Sequence, residues 1–246
     1  MPTAMPPTYE QVAVVIPAHN ERASLPGCLR AMVTAALCVH APVTIVVVLD
    51  ASDDDSSDLA GRYGPDVHFV RIDARNVGAA RAAGFDYART LCGTDLAAWY
   101  ATTDADSTVE PDWLSRQLGC GAEMFLGLVR VADWRPHGLD VVRRYLEAYN
   151  KRVDGGHDHV HGANMGFSSR AYWAVGGFRS LSSDEDVDLV ARFETAGYRI
   201  HRDTAQSVVT SARTKGRAPR GFARHLRSLT SAGRGTAVHP KAGEPA

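Results

Sequence analysis

Apolar residues run first in unbroken stretches and then at helical spacing, and the two patterns alternate through the first half of the chain. Val12–Pro17 is a continuous apolar run, as a strand buried on both faces requires. Ser24 is placed to cap a following helix, with Leu25, Leu29, Met32, Val33 and Leu37 on its buried stripe. Val43–Leu49 reads as a second strand, Asp55–Tyr63 as a helix and Val67–Ile72 as a third strand. Gly78–Leu91 is a helix whose Ala79, Ala80, Ala82, Ala83 and Ala88 permit close packing. Leu96–Thr103 is a fourth strand that runs directly into Asp104-Ala105-Asp106.

Strand–helix alternation of this kind predicts an α/β fold, a mostly parallel sheet flanked by helices. Ligands of such sheets bind at the carboxyl ends of the strands. The exits here are Pro17-Ala18-His19-Asn20-Glu21, Asp50-Ala51-Ser52-Asp53-Asp54 and Asp104-Ala105-Asp106, all on one edge. Carboxylates gathered there repel one another unless a cation or a hydrogen-bonding ligand sits among them.

The second half breaks the alternation. Phe125–Val131 reads as a strand, Leu139–Arg152 as a helix and Gly155–Gly162 as a Gly/His-rich, mobile loop. Short helices are expected over Ala171–Gly176 and Asp186–Ala196, strands over Tyr198–Arg202 and Ser207–Ser211, and a basic amphipathic helix over Pro219–Leu229. The pattern gives a flexible N-terminus (1–10), one domain over 11–230 and a flexible tail (231–246). Within the domain, 11–110 carries the three strand exits and 111–230 is a smaller sheet and helix portion.

Composition changes this picture little. The chain has 246 residues, 45% hydrophobic and 22% charged, with a net charge of −1. It is an ordinary globular composition without a broad basic field for nucleic acid. The charge is nevertheless uneven. From Thr204 to Gly243 there is no acid, while Arg213, Lys215, Arg217, Arg220, Arg224, Arg227, Arg234 and Lys241 are basic. This is either a solvated basic tail or a phosphate-binding flap. Cys28, Cys38, Cys92 and Cys120 show no CxxC spacing and read as buried thiols of a reducing compartment. Met1–Tyr9 lacks a basic region followed by an apolar run, and no apolar segment approaches the ~18 residues that cross a bilayer. A cytoplasmic protein is expected, at most resting against a membrane through its basic C-terminal helix.

Seven signals in order resemble the family 2 glycosyltransferases, inverting enzymes of the GT-A (Rossmann-like) fold. They are Val14-Val15-Ile16-Pro17-Ala18-His19-Asn20-Glu21, Asp50-Ala51-Ser52-Asp53-Asp54-Asp55-Ser56, Asn76-Val77-Gly78 with Arg81, Asp104-Ala105-Asp106 with Pro111-Asp112, Gly162-Ala163-Asn164-Met165, Gly176-Gly177-Phe178 and Glu185-Asp186. The resemblance spans Val12 to Arg217. It implies transfer of a sugar from a nucleotide-diphosphate donor, with UDP favoured, to a hydroxyl acceptor.

The same resemblance distributes roles. Asp106 would contact a Mg²⁺ or Mn²⁺ ion, and Asp104 the ribose or a metal-bound water, with Ala105 between them. Such an ion takes one or two carboxylates and completes its shell with phosphate oxygens. His19 would lie beside the base while Pro17 and Ala18 read its edge, and Asp50 would accept from the base's ring nitrogen. Leu49 stands where the pattern usually has a second acid. Glu21 is either a ribose contact or a first-turn helix acid. Arg81 is either a ligand of the nucleotide or its phosphates, or a salt-bridge partner.

Asp186 is the candidate general base, positioned by a helix N-terminus, and Glu185 would orient the acceptor or brace the loop. Asn164 would contact donor sugar or acceptor. Arg213, Lys215 and Arg217 would neutralise the leaving diphosphate. Some relatives place a histidine ligand there, but Ser211 and Arg213 occupy that neighbourhood. His157, His159 and His161 alternate, which in an extended strand puts all three on one face with little room for tetrahedral zinc.

Two other classes compete. A nucleotidyltransferase would need a Gly-rich phosphate loop and a lysine after the first strand, and 17–21 offers neither. A non-catalytic nucleotide- or glycan-binding scaffold would have no use for a positioned base. No GxGxxG marks a dinucleotide enzyme.

Overall fold

The computed structural model describes residues 9–93, 97–131, 133–150, 153, 156–181 and 183–213. The expected basic helix over Pro219–Leu229 lies outside them, as do Lys215 and Arg217. The strands are β1 (Gln11–Ala18), β2 (Val43–Asp50), β3 (Val67–Ile72), β4 (Ala98–Thr102), β5 (Met124–Val131), β6 (Met165–Ser168) and β7 (Ile200–Thr210). The α-helices are α1 (Leu25–Leu37), α2 (Val77–Cys92), α3 (Trp113–Gly119), α4 (Leu139–Asn150), α5 (Ser169–Ala174) and α6 (Glu185–Thr195).

One seven-stranded sheet runs in the order β3-β2-β1-β4-β6-β5-β7. β1 pairs in parallel with both β2 and β4, and β2 with β3, so the exits of β1, β2 and β4 do share an edge. Only β6 is reversed: it pairs antiparallel with β4 and with β5, while β5 and β7 are parallel. The expected α/β class with a mostly parallel sheet is therefore what the chain forms.

Alternation along the buried strands divides the core. Val12, Val14 and Ile16 face α1 and α3, packing with Leu25, Leu29, Met32 and Trp113. Val15, Val46 and Val48 face the other way, against Phe85 of α2, Tyr172 of α5 and Phe193 of α6. Gly84 lets α2 lie on the sheet, because a Cβ there would fall 2.4 Å from Val15 Cγ1 and 2.9 Å from Val48 Cγ2. Gly84→Ala is expected to destabilise the fold by about 1–3 kcal/mol through overpacking, despite alanine's better helix propensity. Urea unfolding checks this, and a stabilised variant would contradict it.

Several expectations need correction. The stripe of α1 is Leu25, Cys28, Leu29, Met32 and Ala35, and Leu37 is 81% exposed because it is rotated off that face. Ser24 itself sits in a helical conformation and makes no side-chain cap. Asp55–Tyr63 is not a helix but a 3-10 turn over Ser56–Leu59. Only Ser56 and Leu59 are buried there, too few to anchor a longer one. The two expected C-terminal strands are one strand, β7, whose register shifts opposite Leu126 and Leu128. Asp203 makes that irregularity: its Oδ1 accepts from the amides of Ala205 and Gln206. Cys38 is exposed, unlike Cys28.

Periodicity signals neither α3 nor β6. The β6 sequence Met-Gly-Phe-Ser has no β-branched residue, and Gly166 is required where a Cβ would fall 2.1 Å from Gln117 Oε1. Among the described residues, no helix is long and apolar enough to cross a membrane.

Candidate active site

The exits of β1 and β2 are laced to each other before any ligand arrives. Asn20 and Ala51 both adopt left-handed backbone, with φ of 53° and 50°. Such strain in non-glycine residues persists only where surrounding bonds over-determine it. Here Ser52 Oγ donates to Ala18 O at 3.2 Å and accepts from the Asn20 amide, while Asn20 Oδ1 accepts from Asp53 N. His19 Nδ1 lies 2.7 Å from the Asp50 carbonyl, which fixes its ring at the mouth of this pair of turns. Pro17 is half-buried and Ala18 buried, as the last residues of β1.

Asp50 is buried and its carboxylate is heavily engaged. Oδ1 accepts from the amides of Ala74 (2.7 Å) and Arg75 (2.8 Å), and Oδ2 from that of Asn76 (2.7 Å). It therefore shapes the turn between β3 and α2. Asn76 then caps α2 through Ala79 N and reaches Leu181 O with its side-chain amide.

At the β4 exit the two acids of Asp104-Ala105-Asp106 differ. Asp104's side chain is 40% exposed, whereas Asp106's is 10% exposed, and Ala105 is buried between them. Burial, with the like charges of Asp104 and Glu21, pushes the Asp106 carboxyl up to about 6 against the pull of Arg213. Arg213 bridges two exits: Nη1 meets Glu21 Oε1 at 2.5 Å and Nη2 meets Asp106 Oδ2 at 3.3 Å. Cys28, read from the sequence only as a buried thiol, lies beneath this turn with Sγ 3.5 Å from Asp104 O.

Arg81 is 3% exposed. Its Nε donates to Thr102 Oγ1 at 3.3 Å, its Nη2 to Asp104 Oδ1 at 2.9 Å and its Nη1 to Glu185 Oε1. Of the two roles left open for it, the structure displays the salt bridge. Glu185, likewise buried, is braced by Arg81 and does not line an open surface. Burial raises its pKa, opposed by the Arg81 guanidinium.

The acids that open α6 sort themselves by partner. Glu185 belongs to Arg81, and Asp188 to Arg192 and Arg179. Asp184 is exposed and takes the Ser183 hydroxyl. Asp186 makes no ion pair among the described residues. Its Oδ2 accepts from Gly162 N at 2.8 Å and its Oδ1 from Val187 N at 2.9 Å, leaving lone pairs on a half-buried carboxylate. Arg81 joins Asp104 to Glu185 directly, so the acids of the β4 exit and of the α6 turn share one guanidinium although about a third of the chain separates them.

Asn164, expected at the donor sugar or acceptor, is fully engaged by the protein in this structure. Its side chain is wholly buried, with Nδ2 donating to Leu128 O and Oδ1 accepting from Trp113 Nε1, both at 2.9 Å. It pins the loop before β6 onto β5 and α3.

The described residues of the histidine loop are packed against α4 and β5. His157 and His159 are buried, with Nε2 atoms 3.1 Å from Leu126 O and Tyr149 O. The rings of Tyr149 and His159 stack at 3.9 Å and those of His159 and His161 at 5.5 Å. The three imidazoles do share a face, and they serve as packing between α4 and β5. Among the described residues no group of three or more His, Cys, Asp or Glu is arranged to hold a metal.

Thr102, Gly162 and Gly78, to which the sequence assigned no individual role, complete the site. Thr102 is buried and positions Arg81. Gly162 was visible only as part of its motif, although its lack of a side chain matters: a Cβ there would fall 2.4–2.6 Å from the Arg81 guanidinium. Gly78 permits α2 to touch the turn before α6, where a Cβ would fall 2.2 Å from Arg179 O.

The chain is similar to known glycosyltransferases. The pre-mycofactocin glycosyltransferase of Mycobacterium tuberculosis is 29% identical over 225 residues, covering 85% of this chain and 44% of that protein. The undecaprenyl-phosphate 4-deoxy-4-formamido-L-arabinose transferase of Pseudomonas aeruginosa is 39% identical over 142 residues, covering 53% of this chain and 40% of its own. The chain thus spans less than half the length of these curated relatives. Among solved structures, the mannosyltransferase PcManGT of Pyrobaculum calidifontis in complex with GDP-Man and Mn²⁺ superposes with a TM-score of 0.63 at 18% identity, covering 97% of this chain and 68% of that one. TarS 1–349 of S. aureus in complex with UDP-GlcNAc gives 0.62 at 11% identity, with coverage of 93% and 68%. At these identities the likeness speaks for the fold, which is the GT-A fold. The profile of Glycosyl transferase family 2 matches residues 13–176, more than half of the chain, and this protein therefore belongs to glycosyltransferase family 2.

Proposed function

We propose that the chain transfers a sugar from a nucleotide diphosphate to a hydroxyl acceptor by single displacement with inversion, using Asp186 as the general base. The observation that carries this reading is the sorting of the α6 acids. Glu185 and Asp188 are committed to arginines, while Asp186 is oriented by two amides and keeps lone pairs for a proton. Asp186 accepts the acceptor hydroxyl's proton as that oxygen forms its bond to the anomeric carbon. The bond from that carbon to the phosphate oxygen breaks, and the nucleoside diphosphate leaves with the electron pair.

The donor belongs at the exits of β1, β2 and β4. The half-buried His19 ring and the backbone of Pro17 and Ala18 form the wall for the base. Asp50 acts there by holding the 74–76 turn, with capacity left for the base's ring nitrogen. Arg213 supplies positive charge beside the diphosphate, and Lys215 and Arg217, outside the described residues, follow it in the chain.

A Mg²⁺ or Mn²⁺ ion fits this donor set. Asp104 and Asp106 are hard oxygen ligands on one turn, and the crowding that pushes Asp106 up is what a cation relieves. Two carboxylates suffice when phosphate oxygens supply other positions, so a site of three protein ligands is not required. When bound, the ion would withdraw charge from the leaving diphosphate.

The test is a thermal-shift screen of UDP, GDP, ADP and CDP with and without Mn²⁺. A nucleotide at ~100 times its dissociation constant adds ~2.7 kcal/mol of stability. One base is expected to stabilise the protein only with the cation present, and its sugar conjugate to release free nucleoside diphosphate. Release of pyrophosphate, or stabilisation by none of the four, would overturn the reading.

A further inference from the structure

The Arg81 guanidinium touches both halves of the site, and each of its nitrogens is committed. Nε meets Thr102 at the end of β4, Nη2 meets Asp104 in the following turn, and Nη1 meets Glu185 at the start of α6. Phe178 lies against it, with Cζ 5.5 Å from the ring centroid. Gly162 packs close by, where a Cβ would fall 2.4–2.6 Å from Nη2, Cζ and Nη1. The amide of Gly162 in turn donates to Asp186 Oδ2. A continuous path of contacts thus runs from Asp104 through Arg81 and Gly162 to Asp186.

We propose that Arg81 is a positioning residue, tying the donor-side turn of β4 to the loop and helix that hold Asp186 and so setting the distance between base and sugar. The inference rests on Asp186 being the base. Three features support it over a role as a phosphate ligand. The side chain is 3% exposed, so a diphosphate has no access to it in this arrangement. Its planar fork of donors is matched to two carboxylates and a hydroxyl on separate elements, which an ammonium group cannot reproduce. The glycine at 162 is required by the guanidinium itself and not by a positive φ.

Such a residue acts on rate through geometry. A misplacement of about 1 Å between reacting groups costs roughly 10²-fold. Removing the cation outright would leave Asp104 and Glu185 uncompensated and endanger folding. The test therefore uses two milder variants of the full chain, Arg81→Lys and Gly162→Ala. The first keeps the charge without the fork, and the second keeps Arg81 but takes the space its guanidinium occupies.

Both variants are expected to speed amide hydrogen exchange over residues 161–164 and 184–189 by roughly tenfold, with β1 and β2 unchanged. The dissociation constants of UDP and GDP with Mn²⁺ should stay within about twofold. On the nucleotide sugar whose diphosphate gives the largest thermal shift, kcat should fall roughly 10²-fold at constant donor KM. Weakened nucleotide binding with unchanged local exchange would make Arg81 a donor ligand and overturn the proposal. Faster exchange throughout β1 and β2 would make it a general core element, with the same consequence. If neither nucleotide binds the unaltered protein, the sugar-transfer reading fails, and the exchange pattern alone decides whether Arg81 links the two elements.

Discussion

Asp106→Asn is expected to abolish turnover and, at pH 7.5 without ligands, to make the protein harder to unfold. Both effects come from the same crowding. Asp106 is almost enclosed, faces the charges of Asp104 and Glu21, and is only partly compensated by Arg213. Its pKa of about 6 lies above the ordinary 3.8, so the folded state binds its proton more tightly than the unfolded chain does. The stability this provides is complete below pH 3.8 and is lost as pH rises through about 6. At pH 7.5 the ionised carboxylate is a cost, of about 2–3 kcal/mol for a shift of this size. Asparagine cannot ionise and escapes it, which corresponds to roughly 4–10 °C in Tm. The gain should vanish at pH 4, where the aspartic acid is itself neutral. Melts of both proteins at the two pH values check this, and a variant less stable at both would show that the Arg213 contact outweighs the repulsion. Loss of turnover is expected because an amide is a poor ligand for a hard cation and cannot replace the carboxylate.

Asp186→Asn is expected to lower turnover ~10²–10⁴-fold, the usual contribution of a general base. The substitution is well suited to isolating proton transfer. Asparagine keeps an oxygen to accept from Gly162, so the loop stays in place, and Asp186 has no arginine to orphan among the described residues. Nucleotide affinity should be unchanged, because Asp186 bonds to the α6 turn and the 162 loop and not to the exits of β1, β2 or β4. The comparison to make is kcat under saturating donor and acceptor, beside the dissociation constant of the nucleoside diphosphate with Mn²⁺. Near-normal turnover would remove Asp186 from the mechanism. Loss of nucleotide binding would move it to the donor side of the site.

The strand exits were legible in the sequence, whereas the contacts around them were not. The exits of β1, β2 and β4 were legible because each follows a run of buried β-branched or aromatic residues, and parallel strands must end on the same edge. The turn at Asp203 was not legible as a bulge. Its signature is a side chain bonding the amides of Ala205 and Gln206, which resembles an ordinary strand break until both flanking segments are seen to pair with β5. The helix expected over Asp55–Tyr63 failed for a related reason. Local polarity was compatible with a helix, but too little apolar surface was available to hold one on the sheet.

By itself, then, the sequence determined the α/β alternation, the edge on which the acids collect and the membership of Asp104, Asp106 and Asp186 in ordered motifs. The first two depend on hydrophobic period and on chain direction, which are local or nearly so, and the third on resemblance to the family's motifs. The tertiary structure alone decided partners. It assigned Arg81 to Asp104 and Glu185, Arg213 to Glu21 and Asp106, and Asn164 to Leu128 and Trp113. A charge or amide bonds whatever the folded backbone brings within about 3 Å, and for Arg81 and Glu185 that neighbour lies 104 positions away. No periodicity encodes such a meeting, because it exists only after β4, α2 and α6 have packed.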